Sequence, residues 1–403
     1  MRILLISAEY PPETAFGGIG TYAGTVAPAL VARGHEVTVV SRSIDGRDHD
    51  TTGVDGVRLL RLVDRPAPTG FWQAPFRTEH AELAPEHYDR AYTVAVAIEE
   101  RPELTGVDVI EAPDWAGEAA LVRLVTDTPY VVRFHTPARL VFGWNRAGVS
   151  DAFVDALHHL EQVAVENALG FTCPSRWLVP EVERVFGMPR GHIESIPNPF
   201  APDGAGSAPR ARDVVLTLGR LEARKGVLDV VPAMVRVMRS LPELRWRLAG
   251  ADTRSAPRGG SVRDALLAAV PDDLRHRVEI LGPIDRAGVA RELAAATAVL
   301  LPSRHENFPY TCLEAMAAGA AVIGSRRGGM AEMIDDARTG LLIDPGSSDD
   351  VADALYRVLL QPSFADLLGR AAANAVTERF APEAVVPRLE AHLATVAREA
   401  VSA

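Results

Sequence analysis

Short apolar runs separated by stretches of helical period fill the first half of the chain. ILLIS (3–7), EVTVVS (36–41), VRLLRL (57–62), DVIEA (108–112), YVVRFH (130–135) and GFTCPS (170–175) have the length of strands. Several lack polar alternation, as expected of parallel strands covered on both faces. Helical patterns fit between them over 18–33, 79–100, 116–126 and 151–169. Gly34 is placed to end the first helix, and Ser150 or Asp151 to cap the last.

The second half repeats the alternation. VVLTLG (214–219), RWRLAG (245–250), VEILG (278–282), AVLLPS (298–303), AVIGS (321–325) and LLID (341–344) read as strands. Helical patterns lie near 227–240, 261–269, 285–296, 310–318 and 349–361. Strands alternating with helices predict βαβ units and a parallel sheet, here twice. The expected fold is α/β, with two Rossmann-like doubly wound domains.

Between the halves, PNPFAPDGAGSAPRARD (197–213) carries ten Pro, Gly or Ala in 17 residues and keeps no apolar period. It is the linker candidate. The expected boundaries are a first domain over 1–200, a linker over 201–212, a second domain over 213–381 and a terminal helix over 382–403. Ligands of such sheets sit outside the carboxyl ends of the strands. If both carboxyl edges face each other, the ligand occupies a central cleft, so the residues just after each strand carry the chemistry.

Composition narrows the picture. A chain of 403 residues is too long for one ordinary core. A net charge of −11 argues against nucleic acid, whose phosphates need a basic footprint. Two cysteines, Cys173 and Cys312, make neither a disulfide framework nor a zinc site and point to a reducing cytoplasm. The apolar run at the start is too short for a signal peptide and is closed by Pro11 and Pro12. No stretch approaches the roughly 18 apolar residues of a membrane span.

After the first strand comes AEYPPETAFGGIGTYAG. Gly18, Gly20 and Ala23 fit a dinucleotide fingerprint, but too many residues and two prolines separate them from the strand. The second strand also ends at Ser41 instead of an acidic residue. Nicotinamide binding is disfavoured. Gly17 and Gly18 at a helix N-terminus offer bare N–H groups to an anion or a sugar oxygen, or form a glycine loop with no ligand.

GRLEARKGVLDVV follows the strand at 214–219. It brings Arg220, Lys225 and, with Gly226 opening the next helix, a helix N-terminus to one strand end. A forked guanidinium, an ammonium and a positive dipole end suit a diphosphate; a solvated basic turn is the alternative. No G-x-x-x-x-G-K-[ST] loop is present.

HENFPYTCLEAMAAG (305–319) follows AVLLPS. Glu306 precedes a short helix and Glu314 lies about one turn into it, with Pro309 in the first turn and Gly319 after the end. A carboxylate only accepts hydrogen bonds, so it repels phosphate but takes the two protons of a vicinal diol. Carboxylates beside cations make a mould for hydroxyls, diphosphate and hydroxyls, which is a nucleotide sugar. A helix-start carboxylate is also favoured without a ligand, by about 0.3–1 kcal/mol.

The pair Glu306 and Glu314 resembles the E-x7-E motif of family-4 retaining glycosyltransferases with the GT-B fold. GGIGTYAGTVAPALVARGHEVTVV, GRLEARKG, IPNPF, AVIGSRRGGMAEMI and GLLIDPG are similar to that family's motifs in order, over nearly the whole chain. The resemblance implies that Glu314 holds the nucleotide ribose and Glu306 the transferred sugar. It implies sugar contacts from the backbone N–H groups of Phe308, Tyr310 and Thr311, and a diphosphate held by Arg220 and Lys225. His135, after YVVRF, matches a histidine near the reacting centre; a satisfied strand-end histidine is the alternative. Many relatives carry glycine where this chain has Pro309, which bears on donor choice. The family's terminal helix returns to the first domain.

The function expected from this resemblance is retaining transfer from a nucleoside-diphosphate sugar to an acceptor hydroxyl, with no cofactor and no metal. A nucleotide-sugar epimerase of the same fold, a non-catalytic nucleotide-sugar binder and an NAD oxidoreductase are the competing readings. Partners are the donor and an acceptor small molecule or glycan, in a monomer or homodimer. Asp48-His49-Asp50 reads as a solvated turn, and His158, His159 and Glu161 as surface or core filler on a helix. Phe71, Trp72 and Phe76 in the insertion 65–80 are candidates to line an acceptor pocket, to touch lipid or to pack against the first domain, and Arg133, Arg139 and Arg146 around His135 are candidates to attract an anionic acceptor.

Overall fold

A computed structural model describes residues 1–14, 17–68, 82–145, 149–202, 213–257 and 259–402, with side chains to residue 400. The chain divides into two compact units. One comprises 1–143, 149–199 and 381–403; the other comprises 144–148 and 200–380. Residues 203–212 of the linker candidate, residues 69–80 of the aromatic insertion with Phe71, Trp72 and Phe76, and Arg146 lie outside the described residues.

In the first unit eight strands form one sheet in the order β3-β4-β2-β1-β5-β6-β7-β8. They are β1 (Arg2–Ile6), β2 (Glu36–Arg42), β3 (His49–Thr52), β4 (Arg58–Leu62), β5 (Val109–Pro113), β6 (Tyr130–Arg133), β7 (Gly170–Cys173) and β8 (Glu194–Ser195). All pairs are parallel except β3 with β4. Every residue of β5 and β6 is buried, which is why these runs show no polar alternation.

Two expectations fail here. Asp48-His49-Asp50 is not a turn: His49–Thr52 is an antiparallel edge strand, His49 facing Arg61 across the register. Its polar side chains match an edge exposed to water. The helix expected over 116–126 is instead two short 3-10 turns, Trp115–Gly117 and Val122–Leu124. Ala116 and Gly117 have φ of 56° and 60°, which ends any right-handed helix. A Cβ on Gly117 would stand 2.4 Å from the Leu160 carbonyl oxygen, so this turn packs directly on helix Asp151–Asn167. Helices Ala138–Asn145 and Val179–Phe186 were not foreseen.

The last helix, Pro382–Ser402, packs on helix Gly18–Ala32 and on β5, β6 and β7. Val385, Val386, Leu389, Leu393 and Val396 form its buried stripe, at helical spacing. Arg33 and His35 hold Glu390 at its edge.

In the second unit six parallel strands are ordered β11-β10-β9-β12-β13-β14. They are β9 (Val214–Leu218), β10 (Arg245–Ala249), β11 (Val278–Gly282), β12 (Ala298–Leu301), β13 (Ala321–Ser325) and β14 (Leu341–Ile343). Trp246 is fully buried in the core, its indole N–H donating to Thr217 Oγ at 3.0 Å. Helix Pro362–Arg379 is a further element not anticipated from periodicity.

Candidate active site

In the second unit four loops converge at the carboxyl ends of adjacent strands. Leu221 N–H donates to Ala251 O at 2.8 Å and Thr253 Oγ to Leu221 O at 2.7 Å, joining the loops after β9 and β10. Arg304 N–H donates to Arg224 O at 2.8 Å, joining the loops after β9 and β12. Gly329 N–H donates to Glu306 O at 3.0 Å, adding the loop after β13. Two glycines permit this crowding. A Cβ on Gly226 would lie 2.1 Å from Pro302 O, and one on Gly328 would lie 2.4 Å from Glu306 O. Both also have left-handed φ, 69° and 89°.

Gly226 does not open a helix. It closes a 3-10 turn, Ala223–Lys225, and the following helix begins only at Val231. The helix dipole expected beside Arg220 and Lys225 is therefore displaced from them, and the anion-holding capacity of this loop rests on its side-chain cations. The left-handed bend turns Arg224 and Lys225 inward.

Those cations form one network. Lys225 Nζ stands 2.7 Å from Glu306 Oε2 and Arg224 Nη1 stands 2.8 Å from the same oxygen. Arg224 Nε reaches Glu222 Oε2 at 2.8 Å, and Arg220 Nε reaches Glu222 Oε1 at 2.6 Å. Lys225, Arg224 and Glu306 are largely buried, whereas the Arg220 side chain is 62% exposed. Burial by itself raises a carboxyl pKa, but the charges of Arg224 and Lys225 outweigh it and hold Glu306 at about 2. Burial lowers the Lys225 ammonium, against the opposing pull of Glu306.

Arg220, Lys225 and Glu306 are thus joined as the sequence suggested, through two residues the sequence reading omitted, Glu222 and Arg224. The signal was present: three cations and a carboxylate within 220–225. Adjacency alone does not say which cation turns inward. The Glu306 carboxylate itself accepts from both Arg224 and Lys225.

Glu314 sits half-buried in the second turn of helix Tyr310–Ala317. Pro309 is the N-cap of that helix and Gly319, with φ of 67°, follows its end. Phe308 and Tyr310 are buried, packing against Phe380 and Phe200 with ring centroids 5.6 and 6.3 Å apart. Thr311 is half-buried. Cys312 is buried behind the helix, which pushes its thiol up to about 12.

The remaining candidates belong to the first unit. Gly17 is the N-cap of helix Gly18–Ala32, in extended conformation and with no side-chain cap. A Cβ there would stand 2.8 Å from Glu9 Oε2. His135 follows β6; its N–H donates to Asp114 Oδ1 at 2.7 Å and its ring meets the Tyr22 ring edge-on at 5.3 Å. Burial, then the nearby Arg133, holds its imidazole well below the ordinary histidine pKa, so it is neutral.

Arg133 is not an acceptor contact. It is 1% exposed, lies 4.1 Å over the Tyr22 ring, and donates to Ile196 O and Asn198 Oδ1, both at 2.9 Å. Arg139 is paired with Asp155 at 2.7 Å. Of the two readings for the helix, surface or core, the structure gives the core one: His158 and Glu161 are buried, and burial brings the His158 pKa down to about 4. Among the described residues no group of three or more His, Cys, Asp or Glu is arranged to hold a metal, and no helix is long and apolar enough to cross a membrane.

Comparison with known proteins agrees with this architecture. The family model for Glycosyltransferase Family 4 matches residues 16–203, and that for Glycosyl transferases group 1 matches 212–361. A glycogen synthase of Mycobacterium tuberculosis is 30% identical over 94% of this chain and 91% of its own length. Sucrose-phosphate synthase of Thermosynechococcus elongatus superposes with a TM-score of 0.74 at 24% identity, over 97% of each chain. HepE of Anabaena, solved in complex with UDP-glucose, superposes with a TM-score of 0.69 at 18% identity, over 98% of this chain and all of its own. The chain belongs to the family-4, group 1 glycosyltransferases and has their GT-B fold.

Proposed function

We propose that this glycosyltransferase moves a sugar from a nucleoside-diphosphate sugar to an acceptor hydroxyl with retention of anomeric configuration. The observation that carries the reading is the network of Arg220, Arg224, Lys225 and Glu306 at the carboxyl ends of β9 and β12, with Glu314 on the helix that follows. Breaking the donor's glycosidic bond gathers negative charge on the diphosphate. Fixed cations at that point lower the barrier without waiting for solvent to reorganise. Arg220, the exposed member, meets the diphosphate first; Lys225 exchanges Glu306 for a phosphoryl oxygen, and Glu306 turns to the sugar hydroxyls. Glu314 takes the ribose diol, and N–H groups of Phe308, Tyr310 and Thr311 meet the sugar.

The reacting acceptor oxygen approaches the leaving-group face, and its proton passes to the departing diphosphate oxygen. That route needs no enzyme-linked sugar and no metal, since the cations neutralise the leaving group. His135, uncharged, and the glycines 17 and 18 serve the acceptor side. A uridine-diphosphate hexose is the first donor to test, because HepE was solved with UDP-glucose. The buried thiols of Cys173 and Cys312, which are not joined in a disulfide, fit a cytoplasmic enzyme.

The test is a thermal-shift screen across UDP, GDP, TDP and ADP, followed by product analysis by NMR. A ligand at 100 times its Kd stabilises by about 2.7 kcal/mol. The reading stands if one nucleotide diphosphate shifts the melting curve and its sugar is transferred with retention. Inversion, or conversion of donor alone to an epimer, overturns it.

A further inference from the structure

Glu161 lies on helix Asp151–Asn167 and is completely buried. Its Oε1 accepts the N–H of Ala116 at 3.2 Å and that of Ala138 at 3.0 Å. Its Oε2 lies 3.2 Å from the same Ala138 nitrogen. These two backbone groups stand on the segments after β5 and after β6, and the second of these segments carries His135. Asp114, also fully buried, accepts the His135 N–H. Two buried carboxylates thus hold the backbone that presents one imidazole.

Ala116 has φ 56° and ψ 15°, a conformation that costs a non-glycine residue about 1–3 kcal/mol and persists only where surroundings impose it. The surroundings at this point are the Glu161 carboxylate, which takes the Ala116 N–H, and Leu160, against which Gly117 packs. A carboxylate is an unusual choice for a purely structural clamp in a dry site, where desolvation is costly. Burial, and then the charge of Asp114, push the Glu161 carboxyl well above its ordinary range. In this setting it accepts two backbone N–H bonds.

We propose that Glu161 is a positioning residue that sets the loop carrying His135 for acceptor chemistry. This rests on the reading of His135 given above. Because Oε1 takes both N–H groups, glutamine keeps the essential acceptor and alanine removes it.

The experiment compares Glu161→Gln, Glu161→Ala, Glu161→Asp and His135→Ala, in the full chain, by amide hydrogen exchange and by turnover of UDP-glucose. Expected for Glu161→Ala are faster exchange at Ala116 and Ala138 and a kcat lower by about 10- to 100-fold with KM for UDP-glucose unchanged, since misplacement by about 1 Å has effects of that size. Glu161→Gln retains wild-type exchange and kcat. The double variant His135→Ala with Glu161→Ala is no slower than His135→Ala alone. Wild-type kcat in Glu161→Ala, equal damage in Glu161→Gln, or additive losses in the double variant overturn the proposal. If Glu161→Ala does not fold, the pair Glu161→Asp and Glu161→Gln decides: the shorter acid must be impaired and the amide not. Unchanged kcat in His135→Ala instead overturns the role of His135, while exchange at Ala116 and Ala138 still reports whether Glu161 holds the loop. If the wild type does not turn over UDP-glucose, exchange alone decides: protection lost in Glu161→Ala and kept in Glu161→Gln supports the proposal, and any other pattern overturns it.

Discussion

Lys225 Nζ and Glu306 Oε2 stand 2.7 Å apart, and Arg224 approaches the same oxygen at 2.8 Å. One carboxylate oxygen is therefore shared by two cations. In the proposed reaction a diphosphate competes with Glu306 for Lys225, and Arg224 keeps Glu306 charged when that exchange occurs.

Replacing Lys225 by alanine is expected to lower kcat by about 10²- to 10³-fold, the size of effect seen when one preorganised electrostatic group is lost. Steady-state kinetics at saturating donor check this. Near-normal kcat with a raised KM would mean that Lys225 only binds the donor.

Removing one partner of a buried ion pair costs about 3–5 kcal/mol, because the other charge is left without compensation. Arg224→Met strips Glu222 and Glu306 of a shared guanidinium and is expected to fall in that range in urea titration. Combined with Glu306→Gln, the losses should be less than additive by about 0.5–3 kcal/mol. Additive losses would dismiss the network as independent contacts.

The pH dependence follows from Glu306 and Lys225. The Glu306 pKa of about 2 lies below the value of roughly 4.3 for an unfolded glutamate, so the unfolded chain binds more protons between them. Its contribution to stability is full above the unfolded value and is lost as pH falls through about 2. Melting temperature should therefore drop more steeply with acid in the wild type than in Glu306→Gln. Lys225, lowered by burial, should give kcat an alkaline limb below the pH at which an ordinary lysine loses its proton. A flat alkaline profile would argue that Lys225 stays charged.

Gly328→Ala places a Cβ 2.4 Å from Glu306 O at a φ of 89°. The strain, about 1–3 kcal/mol for such a backbone, is relieved only by moving Glu306. Reduced melting temperature together with weaker nucleotide binding is expected. Weaker binding with unchanged stability would locate the effect elsewhere.

Leu389→Ala, at a side chain 1% exposed on the terminal helix, should cost about 2–5 kcal/mol. Denaturant unfolding measures it. A loss under 1 kcal/mol would mean the helix contributes little to the first unit.

Strands buried on both faces were legible because their uninterrupted apolar runs admit few other readings, and all twelve runs end within two residues of the observed strands. The turn at Ala116 and Gly117 was not legible: its φ values arise from packing on Leu160, far away in sequence. The polar edge strand His49–Thr52 carries no apolar signature at all. In the site, Arg220, Lys225, Glu306 and Glu314 could be named from residue type and position. Arg224 could not be ranked, because the bend at Gly226 decides which cations face inward. Glu161 was read as filler since nothing local marks a carboxylate whose partners are backbone groups of two other loops.

The first unit is discontinuous, its final piece being residues 381–403. On the ribosome those residues emerge only after the whole of 200–380 has been made. Domains usually mature in order from the N-terminus during synthesis. Here the stripe of Val385, Leu389 and Leu393 is missing until 200–380 has been synthesised, so the domain that begins first is completed only after the one inserted into it.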